Sequence, residues 1–185
     1  VVVKNTISMT IVGWMLGALV FGALVDSIGR KKTMCYGMLL YVIASAFCLF
    51  CHTIEQLMIV RFFQGFATLS ISIGCRALIV DNITGRRYQI AIIYTSVGYG
   101  LGPVIGPFIG GILQHFIGWQ ANFFALLIIS FILLIILFIF IKESLPEKQP
   151  IILSRLLSRY LTILSHKGFV LGVFILGLTQ IQMLI

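Results

Sequence analysis

The sequence predicts an all-α integral membrane protein, and three observations support this fold class. Its 185 residues are 60% hydrophobic and only 10% charged, whereas about one quarter of the residues in a soluble domain are charged. The apolar residues come in blocks of about twenty, which is the length of helix that crosses a hydrocarbon core ~30 Å thick. The charges lie in short clusters between these blocks. So few charges could not cover a water-exposed globule of this size, which excludes a soluble protein.

Six apolar blocks are predicted to be membrane-spanning helices, each bounded by charged or turn-forming residues. The sixth block runs to the last residue, and the chain begins without an initiator methionine. We therefore expect this chain to be a piece of a longer protein. The predicted spans are Ile7–Val25, Thr33–Cys51, Leu57–Val80, Ile90–Leu113, Phe123–Ile141 and Phe169–Ile185.

The basic residues indicate on which side of the membrane each loop lies. Ten of the thirteen Lys and Arg residues fall in the first, third and fifth loops, and the second and fourth loops hold none. By the positive-inside rule, the odd-numbered loops are cytoplasmic. The net charge of +8 is therefore not gathered on one polar surface, which argues against a nucleic-acid partner. The predicted loops are Asp26–Lys32, His52–Gln56, Asp81–Gln89, Gln114–Asn122 and Lys142–Gly168.

The fifth loop is the longest and the most basic. From Ile151 to His166 its polar residues recur with a helical period, which predicts an amphipathic helix on the cytoplasmic face. A long basic linker after a set of spans is typical of a boundary between two membrane halves. We therefore expect a first half at residues 1–141, a linker at 142–168 and the start of a second half at 169–185.

The first loop has an unusual spacing of glycine and charge. Gly22 permits close approach of another helix, and Gly29 permits a tight turn before Arg30. Asp26 is a carboxylate at a helix C-terminus, where it opposes the helix dipole and needs a partner. Arg30 is one candidate partner, and the N-terminus of another helix is the second. The alternative is an ordinary charged turn between two spans.

Arg61 lies within the third predicted span, near its outer end, and Arg76 lies in the same span. A charged group in hydrocarbon costs several kcal/mol unless it faces a cavity or a partner. Arg61 could instead extend to the outer surface. However, Gln64 lies one turn away on the same helix face, which favours a polar pathway.

The fourth span carries a stripe of glycines, four residues apart, at Gly98, Gly102, Gly106 and Gly110. Such a stripe allows two helix backbones to come close together. Two prolines in the same span each remove a backbone hydrogen bond, which predicts a kinked helix with one smooth face. The prolines are Pro103 and Pro107, and Gly111 follows the stripe.

No cofactor or metal site is predicted. Cys48-Leu49-Phe50-Cys51-His52 fits the C-x-x-C-H pattern of haem attachment, but it lies on an apolar helix without room for a porphyrin. The three histidines are not spaced as metal ligands. The spans contain no nucleophile with a base and an orienting acid, so we do not expect an enzyme.

Together these motifs resemble the major facilitator superfamily, and the bicyclomycin-resistance type of drug:proton antiporter is the most similar group. The first loop resembles the signature loop between helices two and three, and Leu57–Ala67 resembles the helix-four motif. Gly102 to Gly111 is similar to the helix-five motif of antiporters. Gly118-Trp119-Gln120 resembles the start of helix six, with Gln where the family has Arg, and Lys142–Pro146 resembles its end.

The resemblance implies that the six spans are helices two to seven of a twelve-helix transporter. It implies a cytoplasmic latch, a set of ion pairs that holds the cytoplasmic helix ends together, in which Gly22 and Gly29 shape the loop. In this latch Asp26 and Arg30 pair, and Asp81 completes the charge relay. Arg61, with Gln64, would serve proton coupling, and the helix-five motif would seal against a helix of the other half.

The resemblance also implies the partners and location: protons, a small hydrophobic or amphipathic substrate, the lipid bilayer and a bacterial inner membrane, with a monomeric intact protein. One feature departs from the family, because none of the five acidic residues lies mid-membrane. Either the proton-carrying carboxylate lies on a first helix outside this chain, or protons are coupled to transport in a different way. A truncated, transport-inactive remnant is the alternative to a proton-driven exporter.

Overall fold

The computed structural model describes residues 2–145, 162, 165 and 168–172. Residues 2–145 form five α-helices joined by short turns, and each is long and apolar enough to span a membrane. The all-α membrane fold is therefore confirmed. The helices are α1 (Val2–Ser27), α2 (Arg30–Leu49), α3 (Ile54–Asn82), α4 (Gly85–Phe116) and α5 (Gln120–Phe140).

The first five predicted spans correspond to these helices in order, but the loops are shorter than predicted. Only Ile28 and Gly29 separate α1 from α2, and only Ile83 and Thr84 separate α3 from α4. The basic residues assigned to the first loop form the first turn of α2. Charge marks where a helix leaves the hydrocarbon, and backbone hydrogen bonding continues beyond that depth.

The predicted sixth span and the predicted amphipathic helix lie largely outside the described residues. Thr162, Ser165 and residues 168–172 are helical, and the Ser165 hydroxyl donates to the Thr162 carbonyl oxygen at 2.7 Å. They belong to a compact unit at Pro150–Ile185, separate from the unit Val1–Gln149 that holds α1 to α5.

Helix α3 is the centre of the first unit, because it packs against both α1 and α2. Along the α1–α3 contact the backbones nearly touch. A Cβ atom on Gly13 would meet the carbonyl oxygen of Phe62, and a Cβ atom on Gly65 would meet that of Thr10. Small residues allow this approach, which supplies van der Waals contact where water cannot drive helices together. This close contact fixes the face that α3 presents to α1.

Helix α4 lies at the edge of the described helices. None of its residues is buried, and it continues as one helix through Pro103 and Pro107. Each proline lacks the N–H that would bond the carbonyl four residues earlier. The kink expected from these prolines stays a prediction.

We expect Gly65→Ala to lower the stability of the protein by about 1 to 3 kcal/mol, the typical cost of overpacking. The added methyl group would press on the Thr10 carbonyl oxygen, which belongs to rigid helix backbone. Thermal unfolding of the detergent-solubilised protein, followed by size-exclusion chromatography, measures the change.

Gly100→Ala is the matched control, because no atom lies within 4 Å of a Cβ atom at Gly100. Alanine favours helix over glycine, so this variant should be unchanged or stabilised by up to about 1 kcal/mol. Equal unfolding temperatures for the two variants would contradict the close α1–α3 contact.

Candidate functional site

Charged residues from three helices meet at the edge where α1 ends, the edge that the basic loops predict to be cytoplasmic. Asp26 lies one residue before the end of α1, Arg30 begins α2, and Asp81 lies one residue before the end of α3. The turn between α1 and α2 brings the first two together. Gly29 in this turn has φ 122°, a conformation that glycine adopts far more readily than other residues.

Arg30 contacts both carboxylates. Its Nε lies 2.9 Å from Asp81 Oδ2, and its Nη1 lies 3.4 Å from Asp26 Oδ1. The Nε–H does not align with an acceptor well enough for a hydrogen bond, so the shorter contact is an ion pair. The exposed side-chain fractions are 12% for Arg30, 21% for Asp81 and 57% for Asp26. Water screens the Asp26 contact more, so Asp81 is the stronger partner.

Glu143, which follows α5, occupies the N-terminus of α2. Its Oε1 accepts hydrogen bonds from the backbone N–H of Arg30 at 2.8 Å and of Lys31 at 3.4 Å. The sequence left open whether Asp26 pairs with Arg30 or with a helix N-terminus. Asp26 contacts Arg30, and Glu143 binds the N-terminus of α2, where its charge complements the helix dipole.

Ser144 extends the same connection to α3, since its hydroxyl donates to Asp81 Oδ2 at 2.7 Å. Lys31 adds a contact to α5: its Nζ donates to the Phe138 carbonyl oxygen at 2.8 Å and lies 5.3 Å from the Phe138 ring centroid. We call Asp26, Arg30, Asp81, Glu143 and Ser144 the Arg30 cluster. It joins α1, α2, α3 and the segment after α5 at one edge.

Glu143 and Ser144 were not predicted from the sequence as members of this cluster. One signal was present: the N-cap residue of α2 is Gly29, which has no side chain to cap the helix. The first N–H groups of such a helix need an acceptor from elsewhere. A Cβ atom on Gly29 would also meet the Glu143 carboxylate, so a larger residue here would displace that carboxylate from the N-terminus of α2. Gly22 is half-buried on α1, and its role stays a prediction.

We expect Glu143→Gln to destabilise the protein by about 0.3 to 1 kcal/mol, because it removes a negative charge from a helix N-terminus and keeps an acceptor. Glu143→Ala removes both and should cost more. Thermal unfolding at low and high salt measures the charge effect, which salt should reduce.

Glu55→Gln is the matched control for this prediction. Glu55 lies in the first turn of α3, but Thr53 and Gln56 already cap that helix with reciprocal hydrogen bonds. If Glu143→Gln and Glu55→Gln shift unfolding equally, Glu143 has no special role at the N-terminus of α2.

A second polar group surrounds Arg61 in the N-terminal half of α3. Arg61 Nη1 donates to Gln64 Oε1 at 3.1 Å, and Gln64 Nε2 donates to Ser45 Oγ on α2 at 2.8 Å. Gln64 is only 1% exposed. The guanidinium carbon of Arg61 lies 5.3 Å from the ring centroid of Phe123 on α5. Arg61 therefore contacts neutral groups of α3 and α5, and Ser45 of α2 holds Gln64 in place.

The glycine stripe of α4 makes little contact with the other described residues. A Cβ atom would meet nothing within 4 Å at Gly98, Gly102, Gly106 or Gly111. At Gly110 it would lie 3.6 Å from Asn122 Oδ1 of α5. This face of α4 is open along the described helices, and its predicted partner in a second half stays a prediction.

The cysteines of the C-x-x-C-H motif are free thiols. Cys48 is buried, and the Cys51 Sγ donates to the Phe47 carbonyl oxygen at 3.3 Å. Burial raises the pKa of the Cys51 thiol, which favours its protonated form. Among the described residues, no three His, Cys, Asp or Glu side chains come together as metal ligands.

Comparison with known proteins adds independent information. Residues 4–185 match the family model described as Major Facilitator Superfamily. The uncharacterized MFS-type transporter YdgK of Bacillus subtilis (strain 168) is 30% identical over 80% of this chain and 38% of its own length. The multidrug resistance protein MdtM of Escherichia coli O157:H7 is 27% identical over 96% of this chain and 44% of its own length.

The chloramphenicol resistance protein CraA of Acinetobacter baumannii is 26% identical over 95% of this chain and 41% of its own length. The chain thus spans about two fifths of the length of these relatives.

Proposed function

The chain belongs to the Major Facilitator Superfamily, and from this premise we propose that it is part of a proton-coupled exporter of drugs or small metabolites. The exporter works by alternating access: two membrane halves rock about a central site and expose it to each side in turn. Residues 1–141 belong to the first half, 142–168 to the linker and 169–185 to the second half. The names of the multidrug and chloramphenicol resistance relatives support export as the direction. A bacterial inner membrane is the proposed location.

The observation that carries the proposal is the Arg30 cluster. It holds four chain segments at one edge by charged and polar contacts, several of them partly exposed. Partly exposed ion pairs contribute modest free energy, so they can break and re-form within a transport cycle. The glycine-lined α1–α3 contact, in contrast, is made of rigid backbone and moves as one body. Breakable polar contacts at one edge and a rigid contact between two helices are the features expected of a latch that closes one end of a helix bundle.

Arg61 supplies the proposed proton coupling. Its partners among the described residues are neutral, so its positive charge is not cancelled by a carboxylate there. Such a charge lowers the pKa of any carboxylate that comes near and promotes release of its proton. Gln64 and Phe123 hold the guanidinium in place while that carboxylate binds and loses the proton.

The open glycine face of α4 is the proposed contact with the second half. With no side chain at Gly102, Gly106 and Gly110, a helix of that half can approach closely and slide. The sliding contact lets the two halves rock without loss of packing.

Substrate-driven proton movement tests the proposed function. The intact protein that contains this chain is produced in everted membrane vesicles. A proton gradient is set up across the vesicle membrane, and an acridine dye reports the size of the gradient. Adding chloramphenicol or ethidium should partly dissipate the gradient in vesicles with the protein and leave it unchanged in vesicles without it. A gradient that responds equally in both preparations, over a broad panel of drugs and metabolites, would overturn the proposal.

A further inference from the structure

Helix α3 carries a second arginine in its span, and the proposed mechanism leaves it unused. Arg76 lies six residues before the end of α3 at Asn82, which is about 9 Å along the helix axis. Arg76 is exposed, and both ion pairs among the described residues belong to Arg30. An ionised group at this depth is costly unless it faces a ligand or a water-filled path.

The Arg76 side chain contacts Tyr99, and Ser72 holds the Tyr99 ring in place. Its guanidinium carbon lies 5.6 Å from the ring centroid of Tyr99 on α4, and Tyr99 Oη is hydrogen-bonded to Ser72 Oγ. Ser72 precedes Arg76 by one turn, so both lie on the α3 face that meets Tyr99. We call these three residues the Arg76 site. Tyr99 is itself 53% exposed, so the site is open between α3 and α4.

The direction of the side chain argues against a simple contact with lipid headgroups. Tyr99 lies fourteen residues from the start of α4 at Gly85, or about 21 Å from that edge. Side chains on a helix lean towards its N-terminus, which for α3 is the opposite edge. Arg76 therefore reaches inward to Tyr99, whereas an arginine that snorkels would extend to the nearer surface.

The same face of α3 is positive along its length. Arg61, Thr68, Ser72 and Arg76 are spaced seven, four and four residues apart, which places them on one stripe of the helix. The acidic residues of the described helices lie at helix ends: Asp26, Glu55 and Asp81. A surface lined by one sign of charge in a low-dielectric setting attracts ligands of the opposite sign.

We propose that the Arg76 site binds the anionic head group of an amphipathic substrate, such as a carboxylate. The planar guanidinium offers paired N–H donors that match the two oxygens of a carboxylate, and the Ser72 and Tyr99 hydroxyls lie beside it as further donors. This inference rests on the proposed transport function and assigns amphipathic anions as one class of its substrates.

Binding of a matched probe pair tests the proposal. The purified protein is placed in nanodiscs of zwitterionic phosphatidylcholine, and the fluorescence of 11-(dansylamino)undecanoic acid is titrated against that of its primary amide. We expect the carboxylate to bind about tenfold more tightly than the amide, as one charge-assisted contact implies. Arg76→Gln should remove this preference, and an unfolding temperature close to that of the wild type shows that the variant is folded.

Arg86→Gln is the charge-matched control, because Arg86 is exposed in the first turn of α4 and should leave the preference intact. Three outcomes would overturn the proposal: equal binding of the two probes, a carboxylate preference that survives Arg76→Gln, or an equal loss of that preference in Arg86→Gln. Nanodiscs that contain anionic phosphatidylglycerol test whether Arg76 binds a lipid headgroup and not a substrate. If anionic lipid abolishes the preference in the wild type, Arg76 binds headgroups and the substrate role is wrong.

The vesicle assay separates this proposal from the function on which it rests. Substrate-driven proton movement without any carboxylate preference overturns the Arg76 site and leaves the exporter. A carboxylate preference that depends on Arg76, in a protein that moves no protons with any substrate, leaves the site and overturns proton-coupled export.

Discussion

Replacing Arg61 by Gln should lower proton-coupled export by on the order of a hundredfold, which corresponds to roughly 2.7 kcal/mol in the rate-limiting barrier. The variant keeps a polar side chain of similar reach but loses the positive charge. A carboxylate near residue 61 would then keep its proton, because the cation that favours its ionised form is gone. The dye-reported proton movement in everted vesicles measures the loss.

Two further variants separate the charge of Arg61 from its packing. Arg61→Lys keeps the charge but loses the flat guanidinium that covers Phe123 and donates to Gln64. We expect it to retain part of the coupled activity. Arg87→Gln removes the same charge from an exposed position in the first turn of α4 and should be close to wild type.

Counterflow of labelled substrate without a proton gradient should distinguish coupling from folding. A coupling residue can be removed while downhill exchange between the two faces of the membrane continues. If Arg61→Gln abolishes counterflow and proton movement together, or leaves both intact, the coupling role assigned to Arg61 is wrong.

Helix existence was predictable from the sequence because twenty-residue apolar blocks have few alternatives in a bilayer. Helix ends were not, as the start of α2 shows. Arg30, Lys31 and Lys32 were assigned to a loop on charge, yet they form the first turn of α2. The Glu143 carboxylate accepts hydrogen bonds from the backbone N–H groups of Arg30 and Lys31, and the Gly29 carbonyl oxygen accepts one from Thr33. Local charge does not report where backbone hydrogen bonding stops.

The Arg30 cluster likewise contains residues that were predictable from the sequence and residues that were not. Asp26, Arg30 and Asp81 were grouped because a known motif spaces them, and the structure brings all three together. Glu143 was not predicted as a member of the cluster because its partners are backbone N–H groups more than one hundred residues earlier in the chain. Backbone groups carry no side-chain signature, so only the three-dimensional path of the chain reveals such a pair.

The close contact between α1 and α3 was not among the helix contacts predicted from the sequence. The sequence drew attention to the regular glycine stripe of α4, which has almost no neighbour among the described residues. The tightest backbone contacts lie between α1 and α3, where Gly13 and Gly17 lie four residues apart on α1 and Gly65 lies on α3. A contact between two helices depends on both surfaces, and a pattern on one helix shows only half of it.

Asp81→Asn should reduce export more than Asp26→Asn, although both carboxylates contact the same arginine. Arg30 lies 2.9 Å from the less exposed Asp81 and 3.4 Å from the more exposed Asp26. The Coulomb energy falls with distance and with solvent screening, so the two ion pairs are unequal. Asp81 also accepts a hydrogen bond from Ser144, which Asp26 does not share. We expect a loss of about tenfold for Asp81→Asn, which is the effect of one charged contact. We expect a loss of about twofold for Asp26→Asn, because an exposed ion pair contributes only a fraction of that free energy.

Exchanging the two charges tests whether the pair itself matters. Arg30→Asp and Asp81→Arg should each be nearly inactive, because each leaves two like charges facing one another. The double variant restores one attraction and should recover part of the export, although Glu143 then faces an aspartate at the N-terminus of α2. Ser144→Ala is the milder companion, since it removes one hydrogen bond to Asp81 and leaves the ion pair. Two outcomes would show that Arg30 and Asp81 do not act as a latch. In the first, Asp26→Asn loses as much export as Asp81→Asn. In the second, the double variant exports no better than either single variant.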